Sequence, residues 1–287
     1  MSSSVLFDAP GPRTVARHRV YTVVSLLALL AFVAFAVWTM YDRGQLEYAL
    51  WEPFLTPKYI QFILVDGLLE TLKMAFFSIV LAVAIGLLLG IAKLSDHRWV
   101  RWPAWLVVEF FRAAPVLLLM IFLFYLLAIG SGPFSPFWCV VIALTLYNGS
   151  VLAEVFRAGI NAVPRGQAEA AYAIGMRKSQ VMTSVLLPQG VKIMLPSIIS
   201  QMVVALKDTS LGYAILAPGL TAVGKPIYLE FRNQVPTAIV ITALYVAVNL
   251  VLTFIAIRVQ KRLVGEKKML DVPMVGEAQS ERSAAIG

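Results

Sequence analysis

Charge is what this sequence has least of. Asp, Glu, Lys and Arg make up 14% of its 287 residues, against about 25% in an average soluble chain. Hydrophobic residues reach 60% and the mean hydropathy is +0.81, which excludes a water-soluble globule. Cysteine is nearly absent. Cys139 stands alone, so no intrachain disulfide can form, and its place inside an apolar run makes it a small buried hydrophobe. Histidine is scarce too. His18 and His97 are far apart, and no ligand cluster or nucleophile–base set surrounds them, so no metal site and no catalytic residue are assigned. No repeat at a period of about 20–50 residues is visible. A nucleotide-binding loop is missing as well. The stretch Gly219 to Pro226, GLTAVGKP, ends in Pro, which offers neither a hydroxyl for Mg²⁺ nor an amide donor.

What is present is apolar sequence in blocks of about 20 residues, the length that crosses a hydrocarbon core. Helices satisfy their own backbone hydrogen bonds, which lipid cannot do. The class is therefore all-α, a polytopic helical membrane protein. Six spans are predicted: Val20–Met40, Lys73–Leu94 with a polar lead-in from Gln61, Pro103–Ile129, Phe137–Phe156, Ile193–Ala217 and Val235–Ile257. Ala34-Phe35-Ala36 offers a cleavage site, but the apolar run is long for a signal segment and Val37-Trp38 follow directly. An uncleaved anchor is expected. The polar tail, 263–287, is expected to be mobile.

The net charge of +8 is a topology signal rather than a nucleic-acid footprint. With the amino terminus inside, only Arg43, Lys58, Lys225 and Arg232 face outward. Lys73, Arg112 and Lys207 lie in or beside spans. Every other one of the 24 basic residues falls on the inner face. This bias predicts that residues 1–19, the loop between the fourth and fifth spans and the tail are all cytoplasmic.

That loop contains QAEAAYAIGMRKSQVMTSVLLP, Gln167 to Pro188, too hydrophilic for lipid. Pro164 suits the first turn of a helix. Gln167 to Ile174 are good helix formers, and Ala168, Ala170, Ala171 and Ala173 give them a thin surface. Gly175 falls where a helix needs a left-handed residue to stop. Arg177 and Lys178 start a second polar helix, which Pro188 ends or kinks. A thin, Ala-faced helix carrying Glu169 can enter a groove on another protein. An ordinary loop is the plain alternative.

The whole pattern, EAA, three residues, Gly, nine residues, V-x-L-P, resembles the motif of permease subunits of ABC importers. Further segments resemble the polar amino-acid uptake subfamily (histidine, glutamine and glutamate type) in order. They are Gly67 to Met74 (GLLETLKM), Phe111 to Pro115 (FRAAP), Ala153 to Ile160 (AEVFRAGI), Val163 to Gln167 (VPRGQ) and Leu206 to Leu211 (LKDTSL). Together they cover about residues 65–262. Leu6 to Arg13 and the extra first span, 20–40, resemble the actinobacterial glutamate-type permeases within it. Ala113-Ala114 departs from the usual Gly-Thr, so only Arg112 and Pro115 of that turn are carried over.

The resemblance implies an ABC importer type I permease core in the bacterial plasma membrane, with segment 159–190 coupling it to cytosolic ATPase subunits. Gln167, Glu169, Ala170, Ala171, Gly175 and Arg177 would make that coupling contact. Glu154 and Arg157, three apart on one helix face, would organise its base. Two ATPase copies, a second permease subunit, identical or paralogous, and an extracytoplasmic binding protein are the implied partners. ATP and Mg would be used by the ATPase, and no cofactor would be bound here. Candidates for the substrate path are Asn148, Lys207, Asp208 and Thr209, because polar groups inside a span need a reason. An interhelical hydrogen bond is the plainer account of Asn148, and a packing ion pair that of Lys207-Asp208. A self-sufficient secondary transporter is the alternative function. The apparent lack of an inverted repeat and the few intramembrane acids argue against it.

Overall fold

A computed structural model describes residues 12–130 and 132–264. All regular structure among them is helical, as expected. Apart from short turns at Tyr48–Trp51 and Glu52–Leu55, the helices are α1, Pro12–Asp42; α2, Pro57–Lys93; α3, Arg98–Ala113; α4, Val116–Leu127; α5, Pro136–Asn161; α6, Arg165–Ala173; α7, Lys178–Ile215; α8, Leu220–Phe231; and α9, Gln234–Val264. Residues 12–19 belong to α1, so the helix reaches well into the predicted amino-terminal segment. Most of the tail, from 265 onward, and residues 6–11 of the opening motif lie outside the described residues.

Helix α5 is the centre of the bundle. Val140, Val141, Leu144 and Ala153 on it are fully buried. Its main partner is α2, and the two approach through small residues. A Cβ added at Gly86 would lie 2.7 Å from Cβ of Leu152, and one at Gly90 would lie 2.9 Å from Cβ of Phe156. Small residues let helix backbones approach where lipid supplies no hydrophobic drive between helices. At the other end of α2 the GLLETLKM stretch seats α8. A Cβ at Gly67 would strike Val223 at 2.8 Å, and Thr71 Oγ1 accepts the first amide of α8, from Leu220, at 2.8 Å. Stretch 219–226 is therefore the start of a docked helix rather than a loop.

The third predicted span is corrected. Pro103–Ile129 is not one rod: α3 and α4 meet at 103°. Pro115 bars its predecessor from the helical region, and both Ala114 (ψ 128°) and Pro115 (ψ 122°) are extended. The 12 residues of α4 cover about 18 Å, short of a full hydrocarbon core. Five helices are long and apolar enough to cross a membrane, or six if the bent pair is one span. A second correction concerns Pro188, which neither ends nor sharply breaks its helix. The turns before it, Val181–Leu186, widen into a π-helix, and α7 runs on to Ile215. A widened turn accommodates the amide and the space that proline removes.

Candidate functional site

The segment between α5 and α7 forms the expected helix–turn–helix. Helix α6 stops as predicted: Gly175 has φ +84°, its amide donates to Tyr172 O at 2.9 Å, and the Met176 amide donates to Ala171 O at 3.1 Å. Arg177 opens α7, its amide donating to Gln180 Oε1 at 2.8 Å. Two long-range contacts tie the segment down. Gln189 Nε2 lies 3.4 Å from Gln167 Oε1, and Lys178 pairs with Asp96. The Lys178 ammonium holds the Asp96 carboxyl below its ordinary range. Glu169 and Ala170 are exposed, but Ala171 is buried on the side where α6 packs on Val181–Leu186. Ala171 is thus not on the outward face, a correction to its place in the docking surface. The outward apolar groups are Tyr172 and Ile174, the latter 80% exposed. The amphipathic reading missed both because it followed the alanines.

Beneath this segment lies a charge cluster. Arg157 donates to Glu154 Oε2 from Nε at 2.9 Å and from Nη2 at 2.8 Å, the pair expected from their spacing. Lys93, at the end of α2, pairs with Glu154 and lies 3.4 Å from Glu109 on α3. Arg112 also contacts Glu109, at 3.4 Å. Pro115 supplies the bend that turns α3 against this cluster. Lys93 escaped sequence reasoning because its partners, Glu154 and Glu109, are 61 and 16 residues away. The Lys93 side chain is only 6% exposed. Stripping a buried pair of one partner costs about 3–5 kcal/mol. Glu154 keeps Arg157, so Lys93→Met should destabilise by about 3 kcal/mol, the low end. The check is a lower unfolding midpoint and yield in detergent, with partial recovery in the Lys93→Met, Glu154→Gln double variant.

The four intramembrane candidates separate. Asn148 is buried and accepts a bond from Gln201 Nε2 at 2.6 Å, while its own Nδ2 donates to Leu144 O at 2.9 Å. This is the interhelical bond of the plainer account. Thr209 is buried and donates to Leu206 O at 2.7 Å. Neither lies on an open surface. Asp208 is half-buried and Lys207 exposed, and among the described residues neither makes a salt bridge, although the Lys207 charge acts on the Asp208 carboxylate. Lys207 instead lines an open cavity of ≈ 490 Å³ between α7, α8 and α9, with Ser210, Thr221, Thr242, Tyr245 and Asn249 among its walls. Ser210, Tyr245 and Asn249 were not singled out from sequence. Tyr245 and Asn249 are single polar residues in an apolar context, Ser210 stood only as part of the LKDTSL stretch, and their convergence is tertiary. No group of three or more His, Cys, Asp or Glu side chains among the described residues could hold a metal ion.

A bundle that crosses a membrane, opens a polar flank within its span and carries a polar helical turn outside it is built as the membrane subunit of a transporter. Residues 82–265 match the binding-protein-dependent transport system inner membrane component, and the chain belongs to that family. The glutamate transport system permease protein GluD of Corynebacterium glutamicum is 42% identical over 77% of this chain and 82% of that protein. The arginine transport system permease protein ArtQ of Bacillus subtilis is 34% identical over 71% and 93%. Among solved structures, an amino acid ABC transporter with histidines is 28% identical and aligns with a TM-score of 0.67, covering 73% of this chain and 98% of that one. The chain is a permease subunit and not an enzyme, and the ATPase of such a system is a separate subunit.

Proposed function

We propose that this chain carries a polar amino acid inward, with glutamate or a close analogue as substrate, as one half of a pathway completed by a second permease subunit. The observation that carries the reading is the open flank around Lys207. A cation without an ion-pair partner among the described residues, ringed by hydroxyl and amide groups inside a membrane span, is costly unless a ligand or a partner subunit faces it. An acidic amino acid supplies two carboxylates to such a cation. The 42% identity to a glutamate permease supports the same substrate class. Glu169, Ala170, Tyr172 and Ile174 would dock on an ATPase subunit, two copies serving the two permeases. An extracytoplasmic binding protein would deliver the substrate. ATP and Mg would act on the ATPase, and its closure would move α6 and turn the pathway from outward to inward. Asn148, Asp208 and Thr209 would act from behind the lining by fixing α7.

The transport reading is tested by uptake of labelled glutamate into vesicles holding this chain with its ATPase and binding protein. Uptake should saturate, be competed by acidic rather than basic amino acids, and stop with a hydrolysis-dead ATPase. Uptake that continues with the dead ATPase would overturn it.

The reading also needs the coupling segment in the cytoplasm. Exposed Lys225 and Arg177 are suitable probes, whereas Gly224 is not, since a Cβ there would meet Ile241 Cδ1 at 2.4 Å. In a Cys139→Ala background, Lys225→Cys should react with an impermeant thiol reagent from outside and Arg177→Cys should not. The reverse pattern would invert the topology.

A further inference from the structure

Helix α3 has a surface that transport does not explain. Only Ala104 and Val108 on it are buried, against α2 and α5. Trp99 is 92% exposed and Trp102 65% exposed, and Trp105, Leu106 and Phe110 are also open. The helix turns 103° away from α4 and packs on α2 and α5. Two concavities meet at Trp102. The first, ≈ 420 Å³, is lined by Arg101, Trp102 and Trp105 over the buried charge cluster. The second, ≈ 540 Å³, is lined by Arg98, Trp99, Trp102, Pro103 and Leu106.

We propose that these two concavities form a site for one anionic phospholipid, with its phosphodiester in the first and an acyl chain along the second. Charge decides the head group. The acids in the first cavity are already matched: Glu154 by Lys93 and Arg157, Glu109 by Lys93 and Arg112. Among the described residues Arg101 makes one hydrogen bond, to the Ser95 carbonyl at 3.3 Å, and no salt bridge. Its charge also acts on the Asp96 carboxylate, but Asp96 is already paired with Lys178, so Arg101 and Arg98 leave a net positive charge that favours a net negative head group over a zwitterion. Tryptophan rings settle at the head-group level with the apolar edge toward the chains, and an amphipathic helix with basic and aromatic residues lies in the interface plane. The size of each concavity is in the range of ordinary small-molecule sites. A lipid here would clamp α3 over Lys93 and Glu154, directly beneath the coupling segment.

The test is native mass spectrometry of the assembled transporter released from membranes containing phosphatidylglycerol and phosphatidylcholine. One phosphatidylglycerol per copy of this chain should persist in the wild type. Arg101→Gln should lower its occupancy about fivefold, the factor expected for one basic group at an anionic surface. Arg101→Lys should retain most of it, and Trp102→Ala should lose it. Thermal midpoints in phosphatidylcholine alone should match the wild type for Arg101→Gln, showing that the fold is intact. Glycerol 3-phosphate in solution should not displace the lipid, because it has no chain for the second concavity. Equal retention of phosphatidylcholine, displacement by glycerol 3-phosphate, unchanged occupancy in Arg101→Gln, or a protein in place of the lipid would each overturn the proposal.

Discussion

Glu169→Lys and Gly175→Val should each abolish substrate-dependent uptake while leaving the chain at normal abundance in the membrane. Neither position lies in a span, and neither supports the bundle. A Cβ at Gly175 meets nothing within 4 Å, so the effect of valine is conformational rather than steric. At φ +84° an L-residue costs about 1–2 kcal/mol, and a β-branched one is a true outlier. The turn would relax and re-aim Tyr172 and Ile174. Gly175→Asn should keep much of the uptake, since asparagine tolerates that region. Lysine at 169 would place an unmatched charge in the middle of the outward face and block a desolvated contact. ATPase subunits should co-purify poorly with Glu169→Lys, or hydrolyse ATP without transport. Normal assembly and uptake in both variants would reduce the segment to a loop. Ala171→Leu should behave differently. Ala171 is buried against its own chain, so a larger residue should lower folded yield rather than selectively uncouple.

Local signals were legible in the sequence and tertiary ones were not. The Gly175 stop, the Arg177 start and the Glu154–Arg157 pair depend on neighbours within four residues, and the structure has all three. The bend at Pro115 was equally local, yet hydropathy overrode it, because an apolar run reads the same whether it is straight or folded back. Lys93 shows the opposite limit. At the end of a span it looks like one more topology charge, and only the approach of α2, α3 and α5 makes it the bridge between Glu109 and Glu154. The Gly67 to Thr71 stretch sat between. Its residues were noticed, but their work, seating the first turn of α8, needed the position of Leu220.

The same limit governs the candidate substrate path, where the sequence offered four polar residues and one of them, Lys207, lies on an open face. Lys207→Met keeps the length of the stem and removes the charge. If the Lys207 ammonium meets a substrate carboxylate, the loss of a charge-assisted bond is worth about 1.5–3 kcal/mol. Transport of glutamate should then fall by roughly 10- to 100-fold in kcat/KM. Assembly should be unaffected, because among the described residues Lys207 makes no ion pair that holds helices together. Lys207→Arg should restore part of the rate. Asp208→Asn should not rescue Lys207→Met, since no salt bridge joins the two among the described residues; a rescue would establish the packing account. Gln201→Leu is the contrasting variant. It removes the partner of buried Asn148 and should lower stability by about 1–3 kcal/mol through an unsatisfied polar group, with substrate preference unchanged. If Lys207→Met transports glutamate normally while Gln201→Leu shifts substrate preference, the path runs along the α5–α7 seam instead of the open flank.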